Sequence, residues 1–200
     1  MKLAMKMITT TKIFNNVKLG ENCIIEEFCI IGGEKEIIIG DNCKIRSHTV
    51  IYGGNKIGTN FQTGHKVNIR DNNDIGDNVS IGTHSIVEHH VKIEDNVRIH
   101  SDVFVPEFSI LKKGCWLGPK VCLTNAKYPS YPEVKDNLKG PIIEEEAKIG
   151  ANSIILPGVR VGKNALVGAG SVVTRDVPDG EIWTGNPARF IKKSEEVGYK

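Results

Sequence analysis

No apolar run in these 200 residues approaches the roughly 20 needed to cross a bilayer as a helix. Met1 to Ile8, short and broken by lysines, does not read as a secretory signal either. Net charge is nearly absent: 26 Lys and Arg against 24 Asp and Glu leave a formal +2. That is too little to argue for nucleic acid or a membrane surface as partner. No basic cluster with interleaved aromatics reopens the question. Five cysteines, an odd number, speak against a disulfide framework. The expectation is one cytoplasmic domain over residues 1–200. Also missing are the 3.6-residue period of an amphipathic helix and the plain alternation of a solvated sheet. What the chain has instead is a period of six.

Stepping by six from Ile39 gives Ile45, Ile51, Ile57, Thr63, Ile69, Ile75, Ile81, Val87, Ile93, Ile99, Val105, Leu111, Leu117 and Leu123, all aliphatic but Thr63. A second run reads Ile143, Ile149, Ile155, Val161, Val167, Val173. A lead-in, Ile13, Leu19, Ile25, Ile31, is offset by two extra residues near Glu34 to Glu36. With the aliphatic residue as position one, position two is often glycine and position five small or Val. Cys23, Cys29, Cys43 and Cys115 fill position five and read as buried reduced thiols. Asp-Asn pairs such as Asp41-Asn42, Asp77-Asn78 and Asp95-Asn96 suit tight corners.

Six residues make a short strand plus a corner, with one large and one small side chain turned inward. Three such sides close a coil of 18 residues, stacked at the ~4.8 Å strand spacing. The fold expected is all-β: a parallel β-helix, a three-sided prism, over residues 12–177, with a short C-terminal extension at 178–200. Thr124 to Ile142, with Tyr128-Pro129-Ser130-Tyr131-Pro132, breaks the repeat. It reads as a protruding loop over 124–142, and so long an excursion is more often functional than decorative.

Residues 18 apart in an unbroken run lie one above another. Position three then gives two polar columns. One is Asp71, His89, Glu107, Asn125, where a histidine between two carboxylates can be held in one tautomer as a general base or acid. The other is His65, Thr83, Ser101, Pro119, and His65 follows the non-aliphatic Thr63, a local break that marks a candidate site. His84, His90 and His100 fall at other hexad positions and read as surface residues, with His84 able to line the same cleft.

These residues resemble the hexapeptide-repeat acyltransferases, and the resemblance covers about residues 12 to 190. It implies a left-handed prism, against the usual right-handed crossover. Val87-Glu88-His89-His90 is similar to the histidine-bearing hexad of sugar-nucleotide acyltransferases. Leu117-Gly118-Pro119 with Leu123-Thr124-Asn125 resembles the Gly-Pro and Thr-Asn signature of nucleotide-linked amino-sugar N-acetyltransferases, although Ser130 stands where members often carry Arg. The resemblance implies an acetyl-CoA-dependent N-acetyltransferase acting on a UDP- or dTDP-linked amino sugar. His89, Glu107, Asn125 and His65 would be its catalytic residues, and Asp71, His84 and Asn125 would meet the substrate. Gly150, Ala151, Gly168 and Ala169, with Lys163, Arg175 and Arg189 for the phosphates, resemble a coenzyme A groove. Gly185-Asn186-Pro187-Ala188-Arg189 is similar to the family's closing motif. The family also implies a homotrimer with the cleft between subunits, and no metal is expected.

Other readings of the same fold are an O-acetyltransferase, a three-histidine zinc carbonic anhydrase and a non-catalytic scaffold. The phase of His84 and His89, positions four and three, tells against the zinc site.

Overall fold

The computed structural model describes residues 10–198. Each hexad supplies a two-residue strand and a corner, so Lys44–Ile45, Val50–Ile51 and Lys56–Ile57 lie on three successive faces. Stacked parallel strands form a left-handed β-helix of about 10 turns. The first face runs from Lys12–Ile13 to Val172–Val173, and the second from Val17–Leu19 to Arg160–Val161. The third runs from Ile24–Ile25 to Leu166–Val167 and is extended by a hairpin, Glu181–Gly185 with Ala188–Lys193. We name the corners in chain order: first-to-second face, second-to-third, and third-to-first.

Register follows the 18-residue coil: Ile69 pairs with Val87, Ile75 with Ile93, Ile81 with Ile99. Position one points inward and is buried from Ile31 to Val173. Thr63 does not break this core. Its buried hydroxyl accepts from the Arg46 N–H at 2.9 Å and lies 3.3 Å from Thr49 Oγ1. The local defect expected at Thr63 is therefore a satisfied polar pair. Cys29, Cys43 and Cys115 are buried as free thiols, and burial pushes the Cys43 thiol up to about 11. Such a thiol is inert filler at neutral pH.

Position four turns each corner through the left-handed region. Asparagine often stands there, as at Asn42 (φ 57°), Asn78 (φ 56°) and Asn96 (φ 60°), because its short side chain tolerates that conformation. His90 (φ 57°) and Phe108 (φ 64°) take it as well, at a backbone cost of about 1–2 kcal/mol each.

Among the described residues, the changes of register in the stacked coils fall at the first corner. Val17 pairs with Ile37, Ile110 with Ile142 and Val161 with Val177, in place of the usual 18-residue step. The largest is the loop, which carries one turn of 3-10 helix, Val134–Asn137. Its neck is pinned: Lys139 N–H donates to Asn125 O at 2.9 Å and Gly158 N–H to Lys139 O at 2.8 Å. The ladder beyond it resumes with Cys122 on Ile154.

Candidate functional site

The first corner gathers Asp71, His89, Glu107 and Asn125 by register. At position three a side chain can either turn back to cap the backbone or turn out to its neighbours. Here they turn out. Glu107 is bonded through both oxygens: Oε1 lies 3.3 Å from His89 Nε2, and Oε2 accepts from Asn125 Nδ2 at 2.7 Å. Asn125 stands at the loop neck, so the loop anchor and the imidazole share one carboxylate.

Asp71 does not complete the sandwich expected around His89. Its carboxylate accepts from Asn72 Nδ2 instead, and the other nitrogen of His89 meets His90: the two Nδ1 atoms lie 2.7 Å apart. His90 is stacked on Phe108, centroids 5.9 Å apart at 23°. The sequence reading placed His90 on the surface by its hexad position. An 18-residue column reveals vertical neighbours only, and this contact runs sideways around the corner.

A carboxylate only accepts, so a proton on His89 Nε2 would suit Glu107 and leave Nδ1 as the basic nitrogen. The Nδ1–Nδ1 contact then requires His90 to be the donor. The imidazole is about a third exposed and Glu107 about a fifth, so the group is anchored yet open on one side.

The third corner carries His65, His84, Ala151 and Ala169. His65 Nδ1 lies 2.9 Å from Ser47 Oγ and 3.8 Å from Glu26 Oε2, while its N–H donates to Thr83 Oγ1 at 3.2 Å. His84 Nδ1 lies 3.6 Å from Asp102 Oδ1. The glycines beside this corner are explained by stacking: a Cβ on Gly150 would lie 2.4 Å from Ala169 N, and one on Gly82 2.4 Å from Ser101 N. Close approach of the next coil requires them whatever the groove holds.

The alanines tell more. Several position-three N–H groups are capped from the next coil, as Asp77 caps Thr59 at 2.7 Å and Asp179 caps Lys163 at 3.0 Å. Ala151 is followed one coil on by Ala169, and Ala169 by Gly185, neither with a side-chain oxygen. Among the described residues their N–H groups therefore have no side-chain cap from the next coil.

The basic residues expected at the phosphates scatter. Arg189, in the hairpin, donates to Ala188 O at 2.8 Å and stays at the third face. Lys163 sits at the second corner, paired with Glu145 at 2.6 Å. Arg175, at the first corner, reaches across the prism end to Trp183, 5.4 Å from its ring.

Known proteins agree with this architecture. The bacterial transferase hexapeptide family (six repeats) matches residues 74–107 and 140–175. Over 56 residues the chain is 57% identical to 2,3,4,5-tetrahydropyridine-2,6-dicarboxylate N-acetyltransferase of Staphylococcus aureus. That match spans 28% of this chain and 23% of the relative, under a quarter of its length. The fold is shared with an Arabidopsis UDP-N-acetylglucosamine acyltransferase at TM-score 0.61, with 15% identity over 94% of this chain and 74% of that one. It is shared with LpxA from Acinetobacter baumannii at TM-score 0.54 and 21% identity, again over 94% and 74%. Coil register, corner chemistry and these matches meet in one statement: over residues 74–107 and 140–175 this chain carries the hexapeptide repeat of the bacterial transferases.

Proposed function

We propose that the chain is an acetyl-CoA-dependent N-acetyltransferase, working as a homotrimer on the amine of a nucleotide-linked sugar. The observation that carries this reading is His89 at the rim of the first corner, with Glu107 Oε1 3.3 Å from its Nε2; in our reading Nδ1 is its basic nitrogen. The coenzyme supplies the acetyl group as a thioester and leaves as the thiol. The acceptor amine takes the place of His90 at His89 Nδ1 and loses its proton there as nitrogen bonds to the thioester carbon. His89 returns that proton to the departing sulfur. Asn125 and the loop hold the acceptor, and the uncapped N–H groups of Ala151 and Ala169 receive the amide oxygens of the pantetheine arm.

Within one chain the first and third corners lie at opposite edges of the first face. That face explains how they meet. Outward it carries Ile30, Val50, Tyr52, Ile86, Phe104, Ile154, Leu156 and Val172, interrupted by Asn68 and the Arg70–Glu88 pair, with Ile30 and Ile86 exposed. Such a largely apolar surface favours burial against other subunits. Three copies packing these faces around a three-fold axis bring the first corner of each against the third corner of the next, a heterologous contact that closes a ring. Rotation about an axis parallel to the prism keeps each residue at its height. His89 then stands level with the neighbour's Thr83 and Ser101, with the Ala151–Ala169 donors above.

The similarity to the tetrahydropyridine-dicarboxylate enzyme supports a second acceptor, a small cyclic dicarboxylate. Purified protein is mixed with acetyl-CoA and a panel of UDP- and dTDP-linked 3-amino and 4-amino sugars plus that dicarboxylate. Mass spectrometry reads the gain of one acetyl group. Acetylation of an amino sugar supports the proposal, acetylation of the dicarboxylate alone replaces the acceptor, and no product on any amine overturns N-acetyl transfer in favour of hydroxyl acceptors.

A further inference from the structure

The third face carries its charge unevenly. From Lys44 to Gly168 its outward positions read Lys44, Arg46, Gln62, Gly64, Ser80, Gly82, Arg98, His100, Trp116, Gly118, Lys148, Gly150, Leu166, Gly168, with no carboxylate among them. In a chain of formal charge +2 this is segregation, and it leaves that stretch of the face cationic, beginning one coil above Glu26.

Between Arg46 and Arg98 the surface sinks into a groove of about 270 Å³ floored by Gly64 and Gly82 and edged by Thr83 and Ser101. Glycine at two successive coils removes the side chains that would fill it. Arg46 donates one guanidinium N–H to Thr63 O at 2.8 Å, which fixes its base and leaves its other donors for the groove. The Arg98 guanidinium has no hydrogen-bonding or carboxylate partner among the described residues. By contrast, Arg70 is paired with Glu88, Arg160 is paired with Glu144 and Asp179, and Arg175 covers Trp183. The groove ends at His100, packed at 62° against Trp116 with centroids 4.8 Å apart. Burial, and then the Arg98 charge, hold the His100 imidazole below its ordinary range, so it closes the groove as a neutral wall.

Height fixes what this groove serves. The Ala151 and Ala169 donors lie on the C-terminal side of Trp116, and the Arg46–Arg98 groove lies on its N-terminal side. In the ring proposed above, His89 of the adjacent copy reaches the level of Thr83 and Ser101, at the groove's edge. The coenzyme thus approaches His89 from one direction and the groove opens from the other. We infer that the Arg46–Arg98 groove is the diphosphate subsite of the acceptor, separate from the strip that takes the coenzyme. This rests on the acetyltransferase reading for its place in the reaction, and its anion binding can be measured without any reaction. Guanidinium groups suit a diphosphate because their planar forks bond two oxygens at once.

The test is calorimetric titration of the full-length protein with inorganic pyrophosphate, and with coenzyme A separately. Arg98→Gln is expected to weaken pyrophosphate binding by on the order of 10-fold or more, the worth of a charge-assisted bond. Coenzyme A binding should stay within about 2-fold, as should pyrophosphate binding to a Lys92→Gln control on the second face. Arg98→Lys should recover part of the loss. Should Arg98→Gln fail to fold, wild-type affinity for pyrophosphate must still fall steeply with added salt and survive saturation with coenzyme A. Pyrophosphate binding that ignores Arg98, or that coenzyme A abolishes by competition, overturns the subsite. Arg98-dependent binding in a protein that acetylates nothing on the panel keeps the groove and overturns the reaction instead.

Discussion

The second and first corners use the same hexad position in opposite ways. At the second corner Asp41, Asp77, Asp95 and Asp179 turn back onto the coil before them and accept from the N–H of Glu21, Thr59, Asp77 and Lys163 at 2.7–3.0 Å. At the first corner Glu107 turns outward to His89 and Asn125, and His89 to His90. Aspartate is short enough to reach the neighbouring amide. Glutamate can do so too, as Glu94 does for the Lys113 N–H, but Glu107 meets His89 and Asn125 instead. The choice of partner thus separates a backbone staple from an outward side-chain cluster on a backbone that is otherwise the same.

The sharpest way to break that comparison is to remove the ring. His89→Ala should lower kcat by on the order of 10²–10⁴-fold while thermal unfolding is nearly unchanged, because no core contact is lost. Wild-type turnover in that variant would end the general-base assignment. His90→Ala should cost far less, since His90 only holds the place of the incoming amine. Next comes separation of the two corners that meet across the first face. Ile86→Glu puts a charge into the apolar stripe and should give monomers by light scattering, with activity lost alongside. A monomeric variant with full turnover would show that one chain suffices.

A smaller effect is expected at the second corner. Asp77→Ala removes bonds to the Thr59 N–H and hydroxyl, at 2.7 and 3.1 Å, and should cost about 0.5–1.5 kcal/mol by denaturant titration with kcat intact. A loss of activity there would blur the distinction between the corners. Smallest is a pH effect at Asp179. The Arg160 side chain, and then the Lys163 N–H, hold its carboxyl below the usual range. Its stabilisation is therefore present above the unfolded value of about 3.9 and lost as pH falls through the folded one. Arg160→Gln should raise the Asp179 titration seen by NMR and shift acid unfolding to slightly higher pH.

The fold was legible because each hexad repeats the same instruction. One aliphatic in, one small residue in and a corner residue tolerant of positive φ recur until nothing but a three-sided coil accommodates them. The 18-residue step also located Glu107 and Asn125 around His89. It did not locate His90, since adjacent residues on a corner contact each other sideways, by rotamer, and no column contains that. It overstated Asp71, which is close enough by height but is taken by Asn72. It took Thr63 for a defect, where a hydroxyl partner one side chain away makes it an ordinary core residue. The glycines read as a ligand strip are demanded by the backbone of the next coil. The informative residues in that strip are the alanines, because of what they leave uncapped.

Length variation has a home in this molecule. The extra residues before Ile37, the loop before Ile142 and the shortened step to Val177 all fall at the first corner, and each time the ladder resumes on the next strand. A pinned neck at Asn125, Lys139 and Gly158 isolates whatever lies beyond it from the stacked coils. The first corner therefore behaves as a socket. Segments of different length could be exchanged there, in the laboratory or over generations, to reshape what the molecule grips while the rods of isoleucine and valine inside go on packing undisturbed.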